Sequence, residues 1–366
     1  MELDTPFVLL NMEKVEQNIR RMQEKADRLG VALRPHVKTH KIPLLAHKQI
    51  EAGATGIMVA KLGEAEVMAA AGIKDILIGY PIVGKQKIHR LIRLISMYQE
   101  TRIVVALDSF EAASAISDAA AESSVQVRLA LEIDHGYGRV GLPPGEPIIK
   151  LARSIRGRKG VEVVGVVSFS GQSYEETEQS RIMELVSRER KQAEMTADML
   201  RREGFNIDLI SIGSTPAAHF AESVEGITEL RAGTYIFGDL SQVALGTCRL
   251  DECALSVKVT IVSRPSIDRA VIDAGTKVFT SDGDDSPIGT GRGHVIGHPR
   301  IIVSWFNEEH GMLVLSSEDQ HLQIGDTLEV IPNHCCAVMN MVDEVAAIRR
   351  DEVEAILPVV GRGKVQ

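Results

Sequence analysis

Through about residue 245 the chain alternates between short β-branched apolar runs and longer charged segments whose apolar positions recur with helical period. The strand-like runs are Val31–Thr39, Gly56–Lys61, Asp75–Tyr80, Arg102–Ser109, Val125–Asp134, Val161–Ser170, Ile207–Thr215 and Ile227–Phe237. Between them lie stretches rich in Ala, Glu, Lys and Leu, among them Gly63–Ala71, Phe110–Ala121 and the long Glu175–Arg202. Strands alternating with helices predict βαβ units and a parallel sheet. About eight units in this length predict an α/β fold closed as a (β/α)8 TIM-type barrel. An open doubly wound sheet would carry a Gly-rich dinucleotide turn after its first strand. Here that strand runs instead into Arg34-Pro35-His36-Val37-Lys38-Thr39-His40-Lys41.

From about Thr247 the rhythm changes. Val257–Val262, Ala270–Asp273, Arg300–Phe306, Met312–Leu315 and Leu328–Pro332 are short strand-like runs separated by Gly, Pro and Asp, with no helix-length segment between them. The expectation is a barrel over residues 1–246, its first residues free to join the second domain, and a C-terminal all-β domain over 247–366. The run Ser281-Asp282-Gly283-Asp284-Asp285-Ser286 lacks the trailing Glu and following helix of a calcium loop, and reads as a solvated loop. Arg153–Lys159 reads as the wet end of a helix.

Composition narrows the function classes. Of 366 residues, 44% are hydrophobic and 25% charged, ordinary for a globular chain, while 41 basic against 50 acidic residues give a net charge of −9. An acidic chain with 4% aromatics, a single Trp305 and no basic stripe is a poor nucleic-acid binder. No apolar run reaches the roughly 18 residues of a membrane helix, and Met1–Pro6 has no signal-peptide pattern. Cys248, Cys253, Cys335 and Cys336 are too sparse for a disulfide scaffold. A cytoplasmic protein acting on a small molecule is expected.

In such a barrel the chemistry gathers at the C-terminal strand ends. Those ends offer Lys38, Lys61, Tyr80, Asp108, Asp134 with Arg139, Ser168 and Ser170, Gly213-Ser214-Thr215, and Arg231 with Gly233. Lys38 stands between His36 and His40; a lysine buried among basic neighbours can form a Schiff base, whereas a lone lysine is more often a surface charge. Gly213-Ser214-Thr215 and Gly233-Thr234 fall where barrels commonly bind phosphate, though alone such a turn is a weak signal. Schiff-base lysine and phosphate cradle together describe a site for pyridoxal phosphate (PLP). In the second domain, His334 and Cys336 share a face if the backbone is extended, with Cys335 turned away. The pair is either an open metal site, suited to zinc before harder ions such as manganese, or an ordinary buried cysteine beside a turn histidine.

Leu33–Lys41 resembles the cofactor-lysine motif of the D-threonine aldolase/D-serine dehydratase family, fold-type III PLP enzymes related to alanine racemase. The likeness continues through Asp4-Thr5-Pro6, Lys61–Glu66, Glu132-Ile133-Asp134 with Gly138-Arg139, and Gly171–Tyr174. It extends over Gly213–Pro216, Arg231–Tyr235, Asp273-Ala274-Gly275, Glu309-His310-Gly311 and Pro332–Cys336. The resemblance implies that Lys38 carries the cofactor and takes the Cα proton, with His36 beside it. Arg139 then lies near the cofactor's phenolic oxygen, and Gly213, Ser214, Thr215, Gly233 and Thr234 cradle the phosphate. Tyr174 supplies an active-site hydroxyl and Arg231 faces the pyridine nitrogen, while Glu309 and His310 lie near the substrate. His334 and Cys336 hold a divalent metal, and the chain forms a homodimer.

Three departures qualify this. Ser168-Phe169-Ser170 stands where many relatives carry a histidine, and no counterpart of the alanine racemase tyrosine base is found. His-x-Cys at the metal, where aldolases usually carry His-x-Asp, favours a D-serine dehydratase-like lyase over an aldolase. A racemase and a non-catalytic PLP carrier are the remaining alternatives.

Overall fold

The computed structural model describes residues 3–176, 178–282 and 288–366. The chain divides into two units. One comprises residues 21–38, 43–233 and 363–366, the other residues 1–20, 39–42 and 234–362.

In the first unit eight parallel strands run Ala32–Leu33, Ile57–Val59, Asp75–Ile78, Arg102–Leu107, Val127–Ile133, Val161–Ser168, Leu209–Ile212 and Glu229–Leu230. From the second to the eighth each pairs with its neighbour in chain order, and the first pairs with the last through Ala32↔Glu229 and Leu33↔Leu230. The ring closes between the first two strands through Thr55 N–H to Leu33 O (2.9 Å) and Met58 N–H to Pro35 O (2.8 Å). All eight strands expected from the pattern are present, each shorter than its apolar run. The first is cut to two residues because Pro35 has no N–H for the ladder, and Val37–Thr39 turns as a 3-10 helix.

The helices bury one stripe each. Lys85–Met97 turns Ile88, Leu91, Ile92 and Leu94 inward; Glu146–Ile155 does so with Ile148, Ile149, Leu151, Ala152 and Ile155. A layer of apolar side chains packs together: Met58, Leu77, Val104, Ala106, Ala130, Val164, Val167 and Leu209. Val164 and Val167 differ in parity along one strand yet join the same cluster. A register shift opposite Leu129/Ala130 makes this possible.

The second unit is built on a nine-stranded sheet. Phe7–Asn11 pairs antiparallel with Leu255–Ser266 and parallel with Glu344–Arg349. Glu352–Pro358 and Gly293–Val295 complete the strands that the apolar pattern did not single out. Their failure to read as strands is physical: Glu352–Pro358 leaves most of its residues at least partly in water, and Gly293–Val295 is only three residues long. One expectation is corrected here. Residues 334–336 are not extended, because His334 is the N-cap of a short helix, Cys335–Met339. Cys335 is fully buried in the unit's interior and Cys336 only partly buried.

Candidate active site

Lys38 lies in the 3-10 turn that follows the first barrel strand, and its side chain is half-buried. Its backbone N–H points at His36 Nδ1 across 3.4 Å. Burial, reinforced by the charges of Lys38 and Arg231, pushes His36 well below the usual imidazole range despite a hydrogen bond with the Met58 backbone. A neutral imidazole therefore stands beside the lysine.

Arg231 is 4% exposed, directly after the last barrel strand. Its guanidinium donates to Ser211 Oγ at 2.6 Å and to the Ser168 carbonyl at 2.5 Å. Ser211 in turn donates to Glu229 Oε1 at 2.6 Å, and Glu229 accepts Arg34 Nε at 2.8 Å. Arg34 continues to Asp75 at 2.7 Å. Neighbouring this chain is Glu132, 5% exposed, whose pKa burial raises to about 7 against the pull of Arg231 and Arg139. Sequence reading passed over Glu132, Ser211 and Glu229 as site residues. A lone acid within Val127–Ile133, otherwise almost entirely apolar, was the available signal.

Arg139 rides on the loop after the fifth strand. Asp134 gathers the backbone N–H groups of Gly136 (2.9 Å), Tyr137 (2.8 Å) and Gly138 (3.0 Å). Burial favours a neutral Asp134, but these three donors outweigh it and hold the carboxyl below its usual range. The Arg139 guanidinium carbon sits 4.5 Å from the Phe169 ring centroid and 5.7 Å from that of Tyr137. Tyr174 closes the turn Gly171–Tyr174 with its ring 6.3 Å from Phe169. Lys61 Nζ lies 3.3 Å from the Tyr80 ring centroid.

At the seventh strand's end Gly213 adopts φ +112°, a conformation side chains rarely tolerate. Ser214 caps the helix Thr215–Phe220, accepting Ala217 N–H at 3.1 Å. Three backbone donors here meet side-chain oxygens at long hydrogen-bond distances. Gly213 N–H meets Glu189 at 3.3 Å, Gly233 N–H meets Thr215 Oγ1 at 3.3 Å, and Thr215 N–H meets the Tyr174 hydroxyl at 3.4 Å. Ser168 Oγ, in the strand before this one, is buried without a hydrogen-bond partner among the described residues. Backbone N–H groups gathered at this turn and an orphaned hydroxyl suit an anionic, polar cofactor, so these residues fit PLP.

Within the second unit, His334 Nδ1 bonds Asp282 Oδ2 at 2.6 Å and the imidazole hydrogen-bonds Cys336. Burial opposes a charge on His334, yet Cys336, Asp239 and Asp282 together raise its pKa to about 10. The field that favours a proton there equally favours a metal cation. The Cys336 thiol donates to Thr39 Oγ1 at 3.3 Å, and the Thr234 hydroxyl is 3.9 Å from the same sulfur. Thr39 follows Lys38 in the chain, and Thr234 follows Gly233. Among the described residues no group of three or more His, Cys, Asp and Glu side chains forms a cage. Imidazole and thiolate, with Asp282 orienting the ring, fit a metal with open coordination positions rather than a closed structural one. Of the acidic run at 281–286, Asp282 thus contacts His334, while residues 283–286 lie outside the described residues. Glu309 and His310 sit in an exposed hairpin turn, with Lys277 paired to Glu309.

Comparison with known proteins agrees with this geometry. Residues 10–241 match the alanine racemase N-terminal domain family, and residues 254–348 match a putative serine dehydratase domain. D-threonine aldolase of Arthrobacter sp. is 32% identical over 99% of this chain and 93% of its own length. D-threo-3-hydroxyaspartate dehydratase of Delftia sp. is 33% identical over 92% of each. The crystal structure of D-threonine aldolase from Filomicrobium marinum superposes with a TM-score of 0.91 at 28% identity, covering 100% of this chain and 97% of that one. The chain belongs to the fold-type III, PLP-dependent family of the D-threonine aldolases and D-serine dehydratases.

Proposed function

We propose that the protein is a PLP- and divalent-metal-dependent lyase of D-3-hydroxy amino acids, with dehydration as its main reaction. The observation that carries this is the contact of His334 with Cys336, an imidazole beside a thiol that metal binding would deprotonate, with Asp282 on the ring. Lys38 would hold PLP, with its phosphate on Gly213, Ser214, Thr215, Gly233 and Thr234, its phenolic side toward Arg139 and its ring nitrogen toward Arg231. When bound, PLP supplies an electron sink for the pair left at the substrate's Cα. His334 and Cys336 would hold the metal, zinc before manganese, which supplies Lewis acidity toward the β-hydroxyl.

The chain's own groups do the rest. Lys38 Nζ takes the Cα proton, and neutral His36 keeps a second positive charge from accumulating beside it. Arg231 carries a fixed charge that cannot hand over a proton, which limits how far the ring nitrogen is protonated. Tyr174 places a hydroxyl on the same aromatic shelf as Arg139. The Cβ–O bond breaks, hydroxide leaves with one proton as water, and the resulting enamine hydrolyses to a 2-oxo acid and ammonia. Cleavage of Cα–Cβ to glycine and an aldehyde is the second reading, supported by the D-threonine aldolases among its relatives.

The four cysteines are free thiols, which accords with a cytoplasmic setting, and a homodimer belongs to the same proposal by family likeness. The test is enantiomer-resolved turnover of serine and threonine with PLP and zinc. Consumption of the D-forms alone, with ammonia or glycine released, is expected; interconversion of D and L without either product would make the chain a racemase.

A further inference from the structure

Arg231 is buried in the barrel, and the direction of its hydrogen bonds is determined. An arginine has no acceptor, so Ser211 Oγ must accept from Arg231 at 2.6 Å. The Ser211 hydroxyl proton is thereby left for Glu229 Oε1 at 2.6 Å. Arg34 Nε, also only a donor, engages both Glu229 oxygens at 2.8 Å. The result is a one-way chain: Arg231 to Ser211 to Glu229, with Arg34 locking the far end and Asp75 beyond it at 2.7 Å. Ser211 is 0% exposed, Arg34 2%, Glu229 3% and Arg231 4%, so water cannot substitute for any link. The other charged or titratable groups acting on Arg231 are Glu132 and Glu189, with His36 beside it.

We infer that Ser211 and Glu229 are positioning residues for the cofactor ring: Ser211 fixes where the Arg231 guanidinium points, and Glu229 sets the charge it presents. This rests on the reading of Arg231 as the residue facing the ring nitrogen. Neither residue need touch cofactor or substrate. Geometry and charge are separable because they reside in different links. Removing the Ser211 oxygen takes away one of the two partners of the guanidinium, leaving the Ser168 carbonyl as a pivot, and keeps the carboxylate. Exchanging Glu229 for glutamine keeps an oxygen to receive the Ser211 proton and removes the negative charge.

The experiment uses the PLP-loaded full chain and reads the pH midpoint of the cofactor's absorbance change, with kcat and KM determined separately. A nearby cation favours the form of the cofactor with fewer protons. Ser211→Ala loosens that cation, so the midpoint rises by about one pH unit. Glu229→Gln leaves the cation less neutralised, so the midpoint falls. In both, kcat drops about tenfold while KM changes little, and Ser211→Thr, which restores the hydroxyl, returns the midpoint toward that of the parent. Unmoved midpoints in folded, cofactor-bearing variants, or shifts of one sign in both, overturn the inference. If Glu229→Gln does not fold, Ser211→Ala against Ser211→Thr decides alone. Failure of the underlying reading looks different: Arg231→Lys would then itself leave the midpoint of the folded, cofactor-bearing protein where the parent has it.

Discussion

Two residues, half-buried Lys38 and buried Glu132, test the site most sharply at the scale of single side chains. Lys38→Ala is expected to abolish both turnover and the absorbance of lysine-bound PLP, read by a spectrum of the reconstituted protein; full turnover with the spectrum retained would remove Lys38 from its role. Glu132 gives a prediction without any cofactor. Burial holds its folded pKa at about 7, above the ordinary glutamate value of 4.5. The unfolded chain therefore releases this proton first as pH rises. The favourable contribution is complete below about 4.5 and is lost progressively up to about 7. Glu132→Gln has no such loss, so its stability advantage over the parent should grow across that window by about 3 kcal/mol, read from urea midpoints at pH 4.5 and 8. Equal pH dependence of the two proteins would contradict it. Lys38 was legible because its neighbours form a motif. Glu132 was not, because one acid in a strand reads as a surface position until the strand is known to be buried.

The elements explain how far the chain could be read. Eight barrel strands were legible because each is buried on both faces and so appears as an apolar run with a helix after it. Their ends were less so, since Pro35 and the turn at Val37–Thr39 shorten the first strand. In the second unit, Glu344–Arg349 is a short strand with charged ends and Glu352–Pro358 is a largely exposed edge strand, and both escaped the pattern. The helix at Cys335–Met339 was missed because five residues carry too little period to register. The contact between His334 and Cys336 survives that change, since the N-cap and the second helical residue again lie near one another. Gly165 shows how tightly the strands meet: a Cβ there would lie 2.2 Å from the Leu209 carbonyl oxygen and 2.5 Å from Leu209 Cβ. Because backbone cannot step aside as a flexible side chain can, Gly165→Ala should cost about 1–3 kcal/mol in denaturant unfolding. An unchanged midpoint would mean the neighbouring strand yields freely.

For the whole molecule, the arrangement of the sequence matters more than its composition. The chain passes between its two units at 20/21, 38/39, 42/43, 233/234 and 362/363, and two of these crossings fall directly after Lys38 and Gly233. No sequence pattern announces such crossings, because partners like Thr39 and Cys336 are separated by 297 positions. The cofactor lysine and the metal pair are assigned to different units, so cofactor loading and metal loading should be separable. Exhaustive chelation is expected to remove turnover while leaving the Lys38-dependent spectrum, with zinc or manganese restoring activity. Turnover that survives chelation and does not respond to added metal would remove the role of His334 and Cys336. The most direct test of the account is a product count with D-serine, D-threonine and D-3-hydroxyaspartate in the presence of PLP and zinc. The account predicts 2-oxo acid and ammonia in equal amounts as the main products; glycine and aldehyde in excess would contradict it.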